Sequence, residues 1–142
     1  WLKLDSGMHR LGFSAAAVRD WHGRLQKAAQ VAELATLNRQ WGELTQRIGM
    51  AAMKNPDEVG AASVDYLMFS GYVILAYFWL RMAVVAQAQL DAGSGDAAFY
   101  QAKLATCAFY FKRVLPRTAG HLAAADAGSA CMMDLPAAHF GV

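Results

Sequence analysis

The sequence predicts an all-α fold, an antiparallel up-and-down four-helix bundle with two long helices and two shorter ones. Apolar side chains recur every three or four positions between residues 15 and 54, which is the helical period. A second long stretch, residues 66–90, is apolar on nearly every side and must be surrounded by other structure. Proline and glycine breaks then divide the chain into four helical segments, and 142 residues suit one domain with one core.

The first helix is predicted over residues 15–54. Residues 1–13 hold two glycines and no sustained period, so we assign them to a linker or arm from an upstream domain. The four-helix domain then fills residues 14–142, with Ser14 as the N-cap of the first helix. The apolar stripe of its second half is Leu34, Leu37, Trp41, Leu44, Ile48 and Ala51. The opposite, wet face of that half carries Glu33, Arg39, Glu43 and Arg47.

A proline ends the first helix and starts the second. Pro56 disfavours helical geometry at Asn55, and Asn55 can cap a new helix that has Pro56 in its first turn. Glu58 stands where a capping-box partner of Asn55 would be. The second helix is therefore predicted over residues 56–91, antiparallel to the first, although a glycine in its first turns leaves Ser63 as an alternative cap.

The third and fourth helices follow two further breaks. Gly93 suits the left-handed position after a helix, and Asp96 can cap a third helix over residues 97–114. Pro116 ends that helix and opens the fourth, which is rich in small residues and extends to about residue 134.

The apolar run at residues 66–90 raises the question of a membrane span, which needs about 20 mostly apolar residues. Arg81 lies deep in this run, where a bilayer imposes a cost of roughly 2.5–3.5 kcal/mol. Residues 67–80 are only fourteen consecutive residues without charge before Arg81, and no basic belt flanks the run. We therefore predict a core helix and no membrane span.

Composition restricts the possible partners. Charged residues make up 17% of the chain against about 25% in typical soluble domains, which predicts apolar surface that a partner domain or subunit covers. A net charge of +2 and the lack of a basic run with interleaved aromatics argue against nucleic acid. Cys107 and Cys131 lie in apolar helical surroundings, so we predict two buried free thiols and a cytoplasmic protein.

The residues with chemical potential form no recognisable active site. The histidines, His9, His22, His121 and His139, do not pair with carboxylates or with each other in the manner of a metal site, and no phosphate-binding glycine loop is present. Arg81 is interpreted as an anion contact or, as we favour, as a structural residue, either buried or half-buried and paired with a carboxylate of the first helix or extended to the rim of the bundle. Lys103 is treated similarly, and we again favour a structural pair or a solvated side-chain end over a ligand contact. One set of aromatics lines a pocket or, as we favour, forms core: Tyr66, Phe69, Tyr72, Tyr77, Phe78, Trp79, Phe109, Tyr110 and Phe111.

Three segments carry a family resemblance. They are AASVDYLMFSGYVILAYFWLRMA at 61–83, FYQAKLATCAFYFKRVLP at 99–116 and AGSACMMDLPAAHF at 127–140. In order and spacing, over residues 55–140, they resemble the C-terminal helical domain of one subfamily of acyl-CoA dehydrogenases, and the second segment is the most specific. Cys107, where the family usually has alanine, and Ser70, where leucine or phenylalanine is common, are mild departures.

The resemblance implies a parent enzyme that uses FAD to oxidise the Cα–Cβ bond of an acyl-CoA and passes electrons to an electron-transfer flavoprotein. In the family the catalytic glutamate precedes this domain, and no matching motif is present here. We therefore expect a non-catalytic domain, packed on the catalytic core of a homodimeric parent or at its subunit interface. We expect no catalytic, cofactor-binding or metal-ligating residue in this piece, and no cofactor held by it alone. A free-standing helical protein-interaction module is the alternative function.

Overall fold

The computed structural model describes residues 29–141, in which it shows two long α-helices, two shorter ones, a further single-turn helix near the end and no β-strand. The helices are α1 (Ala29–Ala52), α2 (Asp57–Asp91), α3 (Ala97–Phe109) and α4 (Thr118–Ala125). The predicted all-α four-helix fold is confirmed. The predictions for the arm at residues 1–13, the cap Ser14, the start of the first helix, and His9 and His22 lie outside the described residues.

The predicted faces of α1 agree with the structure. Leu34 and Leu44 are buried, and Leu44 has no exposed surface at all. The remaining stripe residues are half-buried, whereas the four charged positions of the opposite face are exposed. The helical period therefore identified the inward face of this helix correctly.

The turn between α1 and α2 confirms one part of the capping prediction and corrects another. The Asn55 side chain accepts a hydrogen bond from the backbone N–H of Asp57 at 3.2 Å, so it satisfies one N–H at the start of α2 as predicted, although Pro56 and not Asn55 holds the N-cap position. Glu58 is not the capping-box partner of Asn55. Its Oε1 instead accepts the hydroxyl of Ser129 at 2.8 Å, because the chain returns to this end of the molecule after α4. The helix begins at Asp57, so Ser63 is not its cap.

The junction between α2 and α3 has the predicted signals in place. Gly93 has a φ of +64°, and its N–H donates to the Leu90 carbonyl. The N–H of Ser94 reaches back to the Gln89 carbonyl, which completes a Schellman motif. The Asp96 carboxylate accepts hydrogen bonds from two backbone N–H groups of the first turn of α3.

The junction between α3 and α4 differs from the prediction. Pro116 was expected to separate two helices, with the third ending at residue 114. The structure ends α3 at Phe109 and continues through a π-helical segment, Tyr110–Val114, and a 3₁₀ turn, Leu115–Arg117. Pro116 has no N–H for the helix ladder and its ring crowds the preceding turn, and this change of winding accommodates it without a reversal of the chain.

The fourth helix is also shorter than predicted. It ends at Ala125 and not near residue 134, because Gly128 adopts a φ of +79° and interrupts the helical path. A single turn, α5 (Ala130–Met133), and a 3₁₀ turn, Ala137–Phe140, complete the described chain.

Helix α2 is the centre of the fold and packs against α1, α3 and α4. The antiparallel pairing with α1 is marked by a hydrogen bond of 2.8 Å between Thr45 Oγ1 and Tyr66 Oη. His121 Nδ1 lies 2.8 Å from the Asp65 carboxylate and fixes α4 to α2. The larger core cluster is Leu34, Phe69, Val73, Ala76, Tyr77, Leu80, Cys107, Tyr110, Phe111 and Leu115. A smaller one at the far end is Leu44, Ala62 and Ala125.

Candidate functional site

The most unusual surface of the described chain is a line of exposed apolar side chains on α2. We call it the outer stripe and define it as Val64, Leu67, Met68, Gly71 and Leu75. These positions recur every three or four residues, so they share one face of the helix. Leu67 is 70% exposed, Val64 69% and Leu75 49%. No charged residue belongs to this face between residues 64 and 75.

The outer stripe is open at its centre. A Cβ added to Gly71 would meet no atom within 4 Å, so the glycine is not required by a neighbour inside this chain. A second α-helix or a strand could approach the backbone of α2 closely at this point. The stripe therefore has the shape and the composition of a contact surface for another structural element.

The length and composition of α2 also satisfy the criteria for a membrane span. Within residues 29–141 it is one helix that does so, and 33% of its most apolar window is buried in this chain. A core helix was predicted, and the structure indeed places the core on one side of it. The other side lacks cover from the described chain.

A cleft opens beyond the stripe, between the C-terminal half of α2 and the start of α3. Its volume is about 390 Å³, and it is lined by Phe78, Arg81, Met82, Val85, Ala86, Phe99, Tyr100 and Lys103. The two cationic residues singled out in the sequence therefore meet at one site, although they lie 22 positions apart. None of the described residues that line the cleft is acidic.

The two cations make different contacts with aromatic rings. Arg81 Cζ lies 5.8 Å from the centroid of the Tyr77 ring. Lys103 Nζ lies 5.1 Å from the centroid of Phe99 and 5.9 Å from that of Trp79, within cation–π distance of both. The ion pairs among the described residues are Arg47–Asp126 and His121–Asp65, so no described carboxylate pairs with Lys103.

The aromatic set divides between core and surface. Phe69, Tyr77, Tyr110 and Phe111 are buried, which confirms the core interpretation for them. Tyr66, Tyr72, Phe78 and Trp79 are half-buried around the core. Phe109 is the exception, since it is 58% exposed. The Tyr110 hydroxyl donates to the Tyr72 carbonyl oxygen at 2.9 Å, and burial raises the pKa of Tyr110 to about 12.

The cysteine prediction holds for one residue of two. Cys107 is a buried free thiol in the larger core cluster, and burial raises its pKa. Cys131 is free but exposed, because the fourth helix ends early and the short helix that carries Cys131 buries no residue.

A polar contact closes the end of the bundle opposite the cleft. Ser129 is 2% exposed, donates its hydroxyl to Glu58 and accepts a hydrogen bond from the Asn55 amide at 3.0 Å. This contact and the His121–Asp65 pair join side chains that are separated by between 56 and 74 positions in the sequence, so no local sequence pattern could have predicted them.

No group of three or more metal-ligating side chains comes together between residues 29 and 141.

The outer stripe was not predicted from the sequence, although its three-and-four spacing is present there. The reason is that α2 is apolar on nearly every side, so periodicity does not separate its covered face from its open one.

The geometry alone does not identify a protein family, and comparison with known proteins does. Residues 13–136 match the model of the family described as "Acetyl-CoA dehydrogenase C-terminal like". The Broad-specificity linear acyl-CoA dehydrogenase FadE5 of Mycobacterium tuberculosis is 44% identical over 61 residues, 42% of this chain and 10% of that protein. A stretch of 34 residues is 71% identical to an alanine racemase of Stutzerimonas stutzeri, over 24% of this chain and 10% of the racemase. The chain thus spans about a tenth of the curated relatives that it matches.

Proposed function

Because this chain belongs to the acetyl-CoA dehydrogenase C-terminal like family, we propose that it is the non-catalytic C-terminal domain of an FAD-dependent acyl-CoA dehydrogenase. The parent would oxidise the Cα–Cβ bond of an acyl-CoA in the cytoplasm and deliver electrons to an electron-transfer flavoprotein. In this proposal the present domain packs on the catalytic core, or at the subunit interface of a homodimer. The observation that carries it is the family match over residues 13–136.

The outer stripe is the surface we assign to this packing. Apolar side chains such as Leu67 and Val64, about 70% exposed, gain roughly 25 cal/mol for each Å² that a partner removes from water. The stripe, from residue 64 to residue 75, extends about 17 Å along the helix at 1.5 Å per residue. That length suits contact with one or two helices of a neighbouring domain.

We favour a protein partner over lipid because α2 carries two charged side chains within its apolar stretch or at its edge. Asp65 is paired with His121 within the span, and Arg81 lies sixteen residues further on. Sixteen residues correspond to about 24 Å along the helix axis, so a bilayer core of about 30 Å would have to accept at least one of the two charged side chains, which is unfavourable. A protein surface that covers only the outer stripe leaves these groups in their present environment.

The similarity to alanine racemase does not change the proposal. It covers 24% of this chain, whereas the dehydrogenase family model covers residues 13–136. The activity named for the mycobacterial relative is that of an acyl-CoA dehydrogenase, in agreement with the family match.

The first test is the reading frame upstream of residue 1. We expect it to encode a dehydrogenase core with a catalytic glutamate, and we expect the full product to show flavin absorbance and to oxidise acyl-CoA with an artificial electron acceptor. The 142-residue chain should show neither property. A frame without a flavin domain would contradict the proposal and favour the free-standing interaction module.

The second test concerns the docking surface in the full product. Leu67→Glu places a charge in the outer stripe, and Gln46→Glu places the same charge on an exposed position of α1. We expect Leu67→Glu to lower the melting temperature of the parent and to make the domain more sensitive to limited proteolysis, with Gln46→Glu as the control. Equal behaviour of the two variants would exclude the stripe as the packing surface, and flotation of the chain with lipid vesicles would point to a membrane.

A further inference from the structure

We propose that the cleft between α2 and α3 binds a small amphiphile with one carboxylate and an apolar chain, such as a medium-chain fatty carboxylate. This inference goes beyond the packing role, since the cleft lies beyond the outer stripe and would bind its ligand in the isolated chain. The site combines an apolar floor with positive charge, and these two properties select the two ends of such a molecule.

The apolar part of the site comes from both helices. Met82 and Val85 on α2 face Phe99 on α3, and the other lining residues between positions 29 and 141 add no acidic group. Val85 is 59% exposed and Phe99 53% exposed, so the ligand chain would cover apolar surface that now meets water. The volume of about 390 Å³ lies at the lower end of the range of roughly 300–1,000 Å³ for small-molecule sites.

The charged part of the site is Lys103, and Arg81, which lies over the Tyr77 ring, belongs to the same wall. Lys103 Nζ lies over the Phe99 and Trp79 rings, where it is held beside the apolar floor, and it has no carboxylate partner among the described residues. An ammonium in this position offers hydrogen-bond donors to a ligand carboxylate. The anionic end would therefore lie at Lys103 and the chain along Met82 and Val85.

The charge pattern argues for an anionic ligand in preference to a neutral or cationic one. A cationic amphiphile would bring its positive charge close to that of Lys103. A neutral alcohol of the same chain length would bury the same apolar surface, but it would not form the charge-assisted hydrogen bond to Lys103. Affinity should therefore depend on both the charge and the length of the ligand.

The experiment uses the 142-residue chain and dodecanoate below its micellar concentration. Titration calorimetry gives the stoichiometry and the Kd, and the fluorescence of Trp79, which contacts Lys103, reports occupancy of the site; Trp79→Phe identifies its share of the signal. We expect saturable binding with one site per chain. Dodecyltrimethylammonium and acetate, which lack the anionic group and the chain respectively, should not saturate the site.

Two variants locate the site. Lys103→Gln should weaken dodecanoate binding by about tenfold or more, as expected for loss of a charge-assisted hydrogen bond. Lys112→Gln removes the same charge from an exposed position of the π-helical segment and should leave the Kd unchanged. Val85→Glu should abolish binding by placing a negative charge where the chain would lie.

Three outcomes would overturn the proposal. They are equal binding of the cationic amphiphile, an unchanged Kd in both Lys103→Gln and Val85→Glu, and binding seen only with lipid vesicles. Circular dichroism of each variant establishes that it is folded before its Kd is interpreted. None of these results depends on whether a dehydrogenase core precedes the chain, so this proposal and the packing role can fail separately.

Discussion

Two leucines with opposite environments provide a quantitative test of the outer stripe. Leu44 has no exposed surface and packs with Ala62 and Ala125, whereas Leu67 is 70% exposed on α2. Truncation to alanine removes the same atoms at both positions. In the 142-residue chain we expect Leu44→Ala to lower the free energy of unfolding by about 2–5 kcal/mol, since it leaves a cavity in the core.

Leu67→Ala should cost the isolated chain less than about 0.5 kcal/mol, as usual for a surface position. The cost should rise in the full parent enzyme if a core domain covers the stripe. Complete burial of a leucine contributes about 1.5–3 kcal/mol, and seven tenths of its surface remains to be covered, so the added cost should be about 1–2 kcal/mol.

Denaturant unfolding followed by circular dichroism measures the free energy in both proteins. A Leu67→Ala cost near that of Leu44→Ala in the isolated chain would refute the open stripe, because it would mean that this chain covers Leu67 itself. No added cost in the parent would refute the assignment of the stripe as the docking surface. Leu44→Ala should have about the same effect in both proteins and serves as the control.

Three further predictions concern the fold. Burial raises the pKa of Tyr110 to about 12 from its ordinary value near 10, so between these pH values the folded state keeps a proton that the unfolded state loses. The contribution of Tyr110 to the free energy of unfolding should therefore be intact below pH 10. It should fall by about 1.4 kcal/mol per pH unit between about pH 10 and 12. Tyr110→Phe removes the hydrogen bond to the Tyr72 carbonyl at a cost of about 1 kcal/mol, and urea unfolding at rising pH should show a weaker alkaline loss; an unchanged slope would contradict the assignment. Ser129→Ala leaves the buried side of Glu58 without its hydroxyl donor and should cost about 1–3 kcal/mol in the same assay, whereas a neutral effect would mean that water replaces the serine. Asp96→Ala removes the cap of α3 and should cost about 1 kcal/mol, with Asp96→Asn largely retaining stability; equal losses in the two variants would indicate that charge and not capping matters.

Local chemistry made much of the fold predictable. The period of α1 identified its inward face, and Asn55, Gly93 and Asp96 marked helix ends because caps depend on hydrogen bonds within a few residues. The family resemblance was likewise visible in three segments of the sequence, and the match over residues 13–136 confirms it.

The predictions that failed depend on how segments meet in space. Pro116 signalled a break, but the packing of α3 and α4 along the same helix turned that break into a π-helical segment and a 3₁₀ turn. Glu58 looked like a local cap and instead binds Ser129, which lies 71 positions away.

The sequence by itself determined that this chain forms antiparallel helices with more apolar surface than it can cover. Only the tertiary structure decided which part of that surface stays open, because a helix that is apolar all round has no preferred inward face until its neighbours choose one. The positions of α1, α3 and α4 around α2 leave Leu67 exposed and bury Phe69, and they bring Arg81 and Lys103 to one cleft. Distances across the fold, and not the order of residues along it, define both candidate sites.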